Sequence, residues 1–263
     1  MARAITSDAL RGRIALVTGG SRNLGRAIAL ALADAGADVA VTAQGAIDEA
    51  EETAELVRRS GSRSIALLGD VGDPDDVDHL VRSAVAALGP IDILVSNASR
   101  RPKKKFLELT IDDWNSIMQS NLSASFYLTR LVLGGMRERR FGRIILIGGP
   151  DGQRPELYNG AATRAHCNTA KAGLLGLMKA IAMEFGPDNI TSNVVVPGIM
   201  DTTRDPINYP HWPMSQEELS RRLPLARLGH PDEVADMCAF LATDSAAYVT
   251  GQTLHVSGGY LTP

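Results

Sequence analysis

The sequence predicts a doubly wound α/β domain: a parallel sheet with helices on both faces. Three observations predict it. The first is a strand–turn–helix unit near the start. Ile14-Ala15-Leu16-Val17 is an apolar strand pattern. A glycine-rich turn follows, Thr18-Gly19-Gly20-Ser21-Arg22-Asn23-Leu24-Gly25. Leu24, Ala27, Ile28, Ala31, Leu32 and Ala35 then recur at helical spacing, and Gly36 closes the run. Such a turn aims backbone N–H groups and the positive end of a helix at phosphate. The second is the alternation of strand and helix patterns with short connections, which implies right-handed crossovers and a parallel sheet. The third is length: 263 residues suit one α/β domain with one sizeable core.

The elements follow in order. Val39 to Thr42 is a strand. The next helix carries its acids early (Asp48, Glu49, Glu51, Glu52) and Arg58-Arg59 late, as the macrodipole prefers. Ser64 to Leu68 is a strand leading to Asp70-Val71. Asp73 caps a helix with Pro74 at its first position, and Val77, Leu80, Val81, Ala84 and Leu88 are its buried stripe. Ile91 to Val95 is the fourth strand. The basic run Arg100-Arg101-Pro102-Lys103-Lys104-Lys105 follows; it reads as a solvated loop. Its place after a strand's carboxyl end also suits docking of an anionic or carrier-linked substrate.

Thr110 and Asp113 form a capping box opening one long helix to about Arg137, with Asn121 a polar group on its apolar stripe. Arg143 to Ile147 is strand five. An irregular segment, Gly148 to Asn159, leads to a helix over about Ala161 to Phe185. There Lys171 stands one turn after Cys167, on the same face. Thr191 to Val196 is strand six, ending at Pro197-Gly198. Residues from about Thr202 to Pro224 read as a substrate lid holding a short helix capped by Ser215 and Glu218. Pro231 to Leu241 is the last helix and Leu254 to Val256 the last strand. The whole is a Rossmann-type, dinucleotide-binding arrangement in a single domain, residues 1–263.

Composition bounds the function. A net charge of −3 gives no reason to expect nucleic acid or an anionic membrane as partner. No stretch approaches about 18 uninterrupted apolar residues, so no membrane span is expected. Cys167 and Cys238 form no metal spacing and suit a reducing compartment. With no leader pattern in Met1 to Arg13, the expectation is a cytoplasmic protein.

Taken in order, these residues resemble the short-chain dehydrogenase/reductase family over nearly the whole chain. The matches are Thr18-Gly19 with Gly25, Asp70-Val71, Asn97-Ala98, Asn121, Lys171, Pro197-Gly198 with Thr202, and Gly251-Gln252-Thr253-Leu254. The resemblance implies a nicotinamide cofactor and a role for each residue. Gly19, Ser21, Arg22, Asn23, Leu24 and Gly25 would form the phosphate turn. Asp70 and Val71 would hold the adenine, and Asn97 with Ala98 the adenosine side. Lys171 would grip the nicotinamide ribose. Pro197, Gly198, Ile199 and Thr202 would frame the nicotinamide, and Asn121 would hold a relay water. It also implies a homotetramer or homodimer built on the two long central helices.

The chain departs from the family pattern in four places. Asn23 replaces the turn's middle glycine, a change Asn tolerates because it accepts positive φ. Ser99 stands where the Asn-Asn-Ala-Gly run ends in glycine. Gly149 stands where the family's active-site serine is expected. Cys167 stands four residues before the lysine, where its tyrosine is expected. A Cys sulfur falls several Å short of a Tyr hydroxyl, leaving room for a bridging water. A nearby ammonium favours thiolate, so Cys167 is also a candidate nucleophile; the plainer reading is a small apolar filler. Tyr158 and His166 are the other candidate proton donors, with Asp151 behind them. His166 lies about 100° round the helix from Cys167, toward a neighbouring loop or subunit.

Two functions fit. One is an oxidoreductase moving a hydride to or from a small carbonyl, imine or enone with a non-standard proton donor. The other is a relative that binds nucleotide or ligand without redox chemistry; cofactor turnover separates them. Ala43 and Gln44 put no acid at the end of strand two, and Arg22 can pair with a 2′-phosphate. Both favour NADPH over NADH.

Overall fold

A computed structural model of the chain describes residues 6–149, 164–203 and 214–260. Seven strands form one parallel sheet in the order β3-β2-β1-β4-β5-β6-β7. They are β1 Ile14–Thr18, β2 Asp38–Ala43, β3 Ser64–Leu68, β4 Ile93–Ser96, β5 Gly142–Ile147, β6 Ile190–Pro197 and β7 Thr253–Val256. The predicted strands are all present. Boundaries move by one or two residues, most at β4, which runs Ile93–Ser96 rather than Ile91 to Val95.

The helices are α1 Asn23–Asp34, α2 Ile47–Arg59, α3 Pro74–Leu88, α4 Ile111–Met118, α5 Ala124–Arg139, α6 Ala165–Phe185, α7 Gln216–Arg222 and α8 Pro231–Ala242. The chain meets helices on both faces because strand side chains alternate. Ala15 and Val17 face one layer, with α1, α2 and α8. Ile14 and Leu16 face the other, with α3, α5 and α6. This explains why β1, β5 and β6 are buried at every residue: a covered parallel sheet has no solvent face.

Local chemistry starts the helices as expected. Asp73 accepts hydrogen bonds from Asp75 N and Asp76 N, with Pro74 at the first turn. Thr110 with Asp113, and Ser215 with Glu218, close full capping boxes.

The single long helix expected from Thr110 to Arg137 is instead broken. Between α4 and α5, Gln119–Ser123 forms one π-helical turn. A π-turn inserts an extra residue and rotates everything after it, and such turns often mark functional sites. Asn121 sits inside it, 2% exposed. The lid expected at 202–224 is described at its two ends, with α7 in its second half; residues 204–213 lie outside the described residues.

Candidate functional site

A cleft of about 830 Å³ runs along the carboxyl ends of the strands. Residues from the ends of β1, β2, β4, β5 and β6 contribute to its walls. Strand order reverses between β1 and β4, and ligands of open α/β sheets bind at such a switch point. The volume lies in the range of cofactor sites, roughly 300–1,000 Å³.

The turn after β1 is built for close backbone approach. Gly19 has φ +63°. A Cβ on Gly25 would stand 2.0 Å from the Gly19 carbonyl oxygen, so no other residue fits. The Ser21 carbonyl accepts from Arg26 Nη2 at 2.8 Å and Arg26 Nε at 3.1 Å, which pins the outer half of the turn. Asn97 donates its Nδ2 to the Thr18 and Gly19 carbonyls at 2.9 and 3.1 Å. Its amide nitrogen therefore braces the turn from β4.

At the other end, Asp70 binds Gly72 N at 2.8 Å through one oxygen and Gln44 Nε2 at 2.7 Å through the other. Ala43, Gln44, Gly45 and Ala46 line the cleft beside it, without a carboxylate among them. Arg22 is two-thirds exposed, with Nη1 4.0 Å from Glu49.

The third region lies beside β5 and α6. Lys171 is buried and donates from Nζ to the Ile147 carbonyl at 2.6 Å. Gly149 and Cys167 share its wall of the cleft. The Cys167 thiol points to the Arg100 carbonyl at 3.7 Å and the Pro102 carbonyl at 4.0 Å. Asn121 holds the same backbone: Oδ1 accepts from Arg100 N at 2.8 Å and Nδ2 donates to Arg100 O at 2.7 Å. Ser120 Oγ also donates to Asn121 Oδ1, at 3.0 Å. The basic loop is thus strapped down over Cys167, and Arg100, Arg101 and Pro102 form part of the cleft rather than a detached solvated run.

Most expected residues meet here. Gly19, Ser21, Arg22, Asn23, Leu24, Gly25, Asp70, Val71, Asn97, Ala98, Asn121, Cys167, Lys171, Pro197, Gly198 and Thr202 all line the cleft. Two do not. Ile199 lines a smaller cavity with Leu225 and Val256 instead, although its chain neighbours Gly198 and Met200 line the cleft. His166 is fully buried outside the cleft wall, because one helical step turns it away from Cys167. Burial pushes its pKa below 6.5, against the pull of Asp113. Tyr158 and Asp151 lie outside the described residues. The sequence reading missed Ser120, the Ile147 carbonyl, Met200 and Thr203. Ser120 had its neighbour Asn121 as a signal; a backbone carbonyl has none.

The cleft, the glycine turn at the amino end of α1 and the switch point define a dinucleotide-binding α/β protein. Comparison with known proteins narrows the class. The family described as enoyl-(acyl carrier protein) reductase matches residues 19–261. The 3-oxoacyl-[acyl-carrier-protein] reductase FabG of Escherichia coli K12 is 38% identical, over 94% of this chain and 97% of the relative. The acetoacetyl-CoA reductase of Shinella zoogloeoides is also 38% identical, over 94% and 98%. Among solved structures, a blue fluorescent protein from a metagenomic library, in complex with NADPH, superposes with TM-score 0.87 at 36% identity, covering 97% and 100% of the two chains. A short-chain dehydrogenase/reductase from Serratia marcescens superposes with TM-score 0.86 at 34% identity, covering 96% and 99%. The chain belongs to the short-chain dehydrogenase/reductase family.

Proposed function

We propose that the protein is an NADPH-dependent oxidoreductase that moves a hydride to or from a small carbonyl, imine or enone without the usual serine–tyrosine pair. The observation that carries the reading is the wall shared by Lys171, Gly149 and Cys167. The lysine is anchored in the cleft, while its two neighbours supply neither hydroxyl nor phenol.

The cofactor fits the residues present. The turn offers bare backbone at Gly19 and Gly25, and Asp70 stands ready at the adenine end. NADPH is favoured because the end of β2 bears no acid and, among the described residues, the carboxylate nearest Arg22 is Glu49 at a distant 4.0 Å. The name of the metagenomic structure, a complex with NADPH, agrees with this.

When bound, the cofactor supplies the hydride. The chain's own residues then orient the substrate and manage charge on its oxygen. Lys171 places an ammonium in the cleft, which favours negative charge developing nearby. The Cys167 thiol is directed at backbone carbonyls, so it acts as filler and brace. The proton then comes from water reaching the space beside it. Slow protonation at oxygen suits an enone or an imine better than a simple ketone. Arg100 and Arg101 at the cleft wall favour an anionic or carrier-linked substrate. The names of the relatives, reductases of carrier- and CoA-linked acyl groups, support that class.

The test is NADPH oxidation with a panel of 3-oxoacyl and enoyl thioesters, cyclic imines and simple ketones. Turnover of enones or imines above ketones is expected. Binding of NADPH without turnover of any member would favour the non-redox reading, for which the absent hydroxyls also speak. Arg22→Ala should weaken NADPH about tenfold and leave NADH unchanged, the size of one lost charge-assisted hydrogen bond. Calorimetry giving equal or tighter NADH binding by the parent would overturn the NADPH assignment.

A further inference from the structure

Asn23 occupies the turn position where glycine would carry no penalty. Its φ is +48°, left-handed and costly for a side chain, though least so for Asn. It does not serve α1: the N-cap position is Arg22, which makes no side-chain cap bond. The Asn23 amide instead reaches across the cleft to one residue 180 positions away. Oδ1 accepts the Thr203 N–H at 3.1 Å, and Nδ2 donates to the Thr203 carbonyl at 3.4 Å. Both residues line the cleft, as does Thr202 next to the clasp.

We propose that Asn23 is a positioning residue that ties the phosphate turn to the backbone following β6, holding the cleft's two walls together and slowing release of the nucleotide. The inference rests on the proposal that this cleft takes a nicotinamide dinucleotide. The two-point pairing is what a glycine cannot supply, and it offsets the left-handed backbone. It also sets the position of Thr202 from the side of the turn. The clasp must open, or the nucleotide must thread past it, before exchange can occur. Its loss is therefore felt in the dissociation rate more than in the association rate.

Asn23→Gly keeps the backbone conformation and removes the clasp. Thr203→Pro removes the N–H from the other side. NADPH is bound to each protein and displaced with excess NADP⁺, and its release is followed by stopped-flow fluorescence. Asn23→Gly should release NADPH about tenfold faster than the parent, as expected for losing a hydrogen-bonded pair of modest net worth. Its association rate should stay within twofold. The double variant should release no faster than the faster single variant, because both changes break one clasp. A dissociation rate for Asn23→Gly within twofold of the parent overturns the inference. So does an additive double variant, which would place the effect in the turn itself. If Thr203→Pro does not fold, Asn23→Gly alone decides. A parent that binds neither NADPH nor NADH overturns the cofactor reading itself, a result distinct from a parent that binds and a variant that behaves alike.

Discussion

At the scale of single residues, Gly149 and Cys167 are not equivalent gaps. Among the described residues, a Cβ at Gly149 would meet only Lys171 Cγ, at 3.7 Å, an ordinary contact. Gly149→Ser should therefore fold with stability within about 0.5 kcal/mol of the parent. Cys167 has the Arg100 and Pro102 carbonyls against its sulfur, so a tyrosine ring there would press on a backbone that Asn121 holds fixed. Cys167→Tyr should cost about 1–3 kcal/mol in chemical denaturation, the usual toll of overpacking. If it is accommodated, the double variant should reduce simple ketones at least tenfold faster than the parent, and well above the sum of the two singles. Both hydroxyls act on one oxygen, and a positioned general acid contributes about 10²–10⁴-fold. No gain in a double variant that folds and binds NADPH would mean a pocket remade for other chemistry. The sequence alone puts Gly149 and Cys167 where the family pattern expects serine and tyrosine. That a loop lies against the cysteine was invisible, because the contact is made by main-chain carbonyls that every residue carries.

At the scale of elements, α6 shows what helical phase does to a titratable group. Successive residues His166 and Cys167 are both buried, but only Cys167 is on the cleft wall. Because burial lowers the folded pKa of His166 below 6.5, the unfolded chain takes up the proton first as pH falls. This contribution to stability is present above about pH 6.5 and is lost below it, down to the folded pKa. His166→Phe removes the group, so its unfolding free energy should fall less than the parent's between pH 7.5 and 5.5 in urea titrations. Equal slopes would refute this. The π-turn between α4 and α5 teaches a related lesson. A stripe of apolar residues with one Asn reads as a continuous helix. One inserted residue shifts the phase by less than the stripe is wide, so periodicity cannot report it. The asparagine was the only mark it left.

At the scale of the whole molecule, α5 and α6 leave apolar side chains in water: Phe126 is 50% exposed and Met183 82%. Both lie on the helices expected to meet their symmetry mates. Light scattering at micromolar concentration should give a dimer or tetramer mass, with a D₂ tetramer preferred, and a monomer mass would refute it. The doubly wound parallel sheet was implied by the alternation of elements, and the structure adds the strand order β3-β2-β1-β4-β5-β6-β7. That order has a consequence for how the chain comes to be folded. β1 is central, and its partners are β2 nearby and β4 far along: Ala15 pairs with Val39 and also with Ile93. During synthesis the first strand can find one neighbour early, but its other edge stays open until the fourth strand emerges. For that interval this apolar strand offers unsatisfied main-chain groups to any other nascent copy. A tethered fragment ending before Ile93 would thus be sticky, and the yield of native protein would be decided in the seconds before its middle strand is closed in.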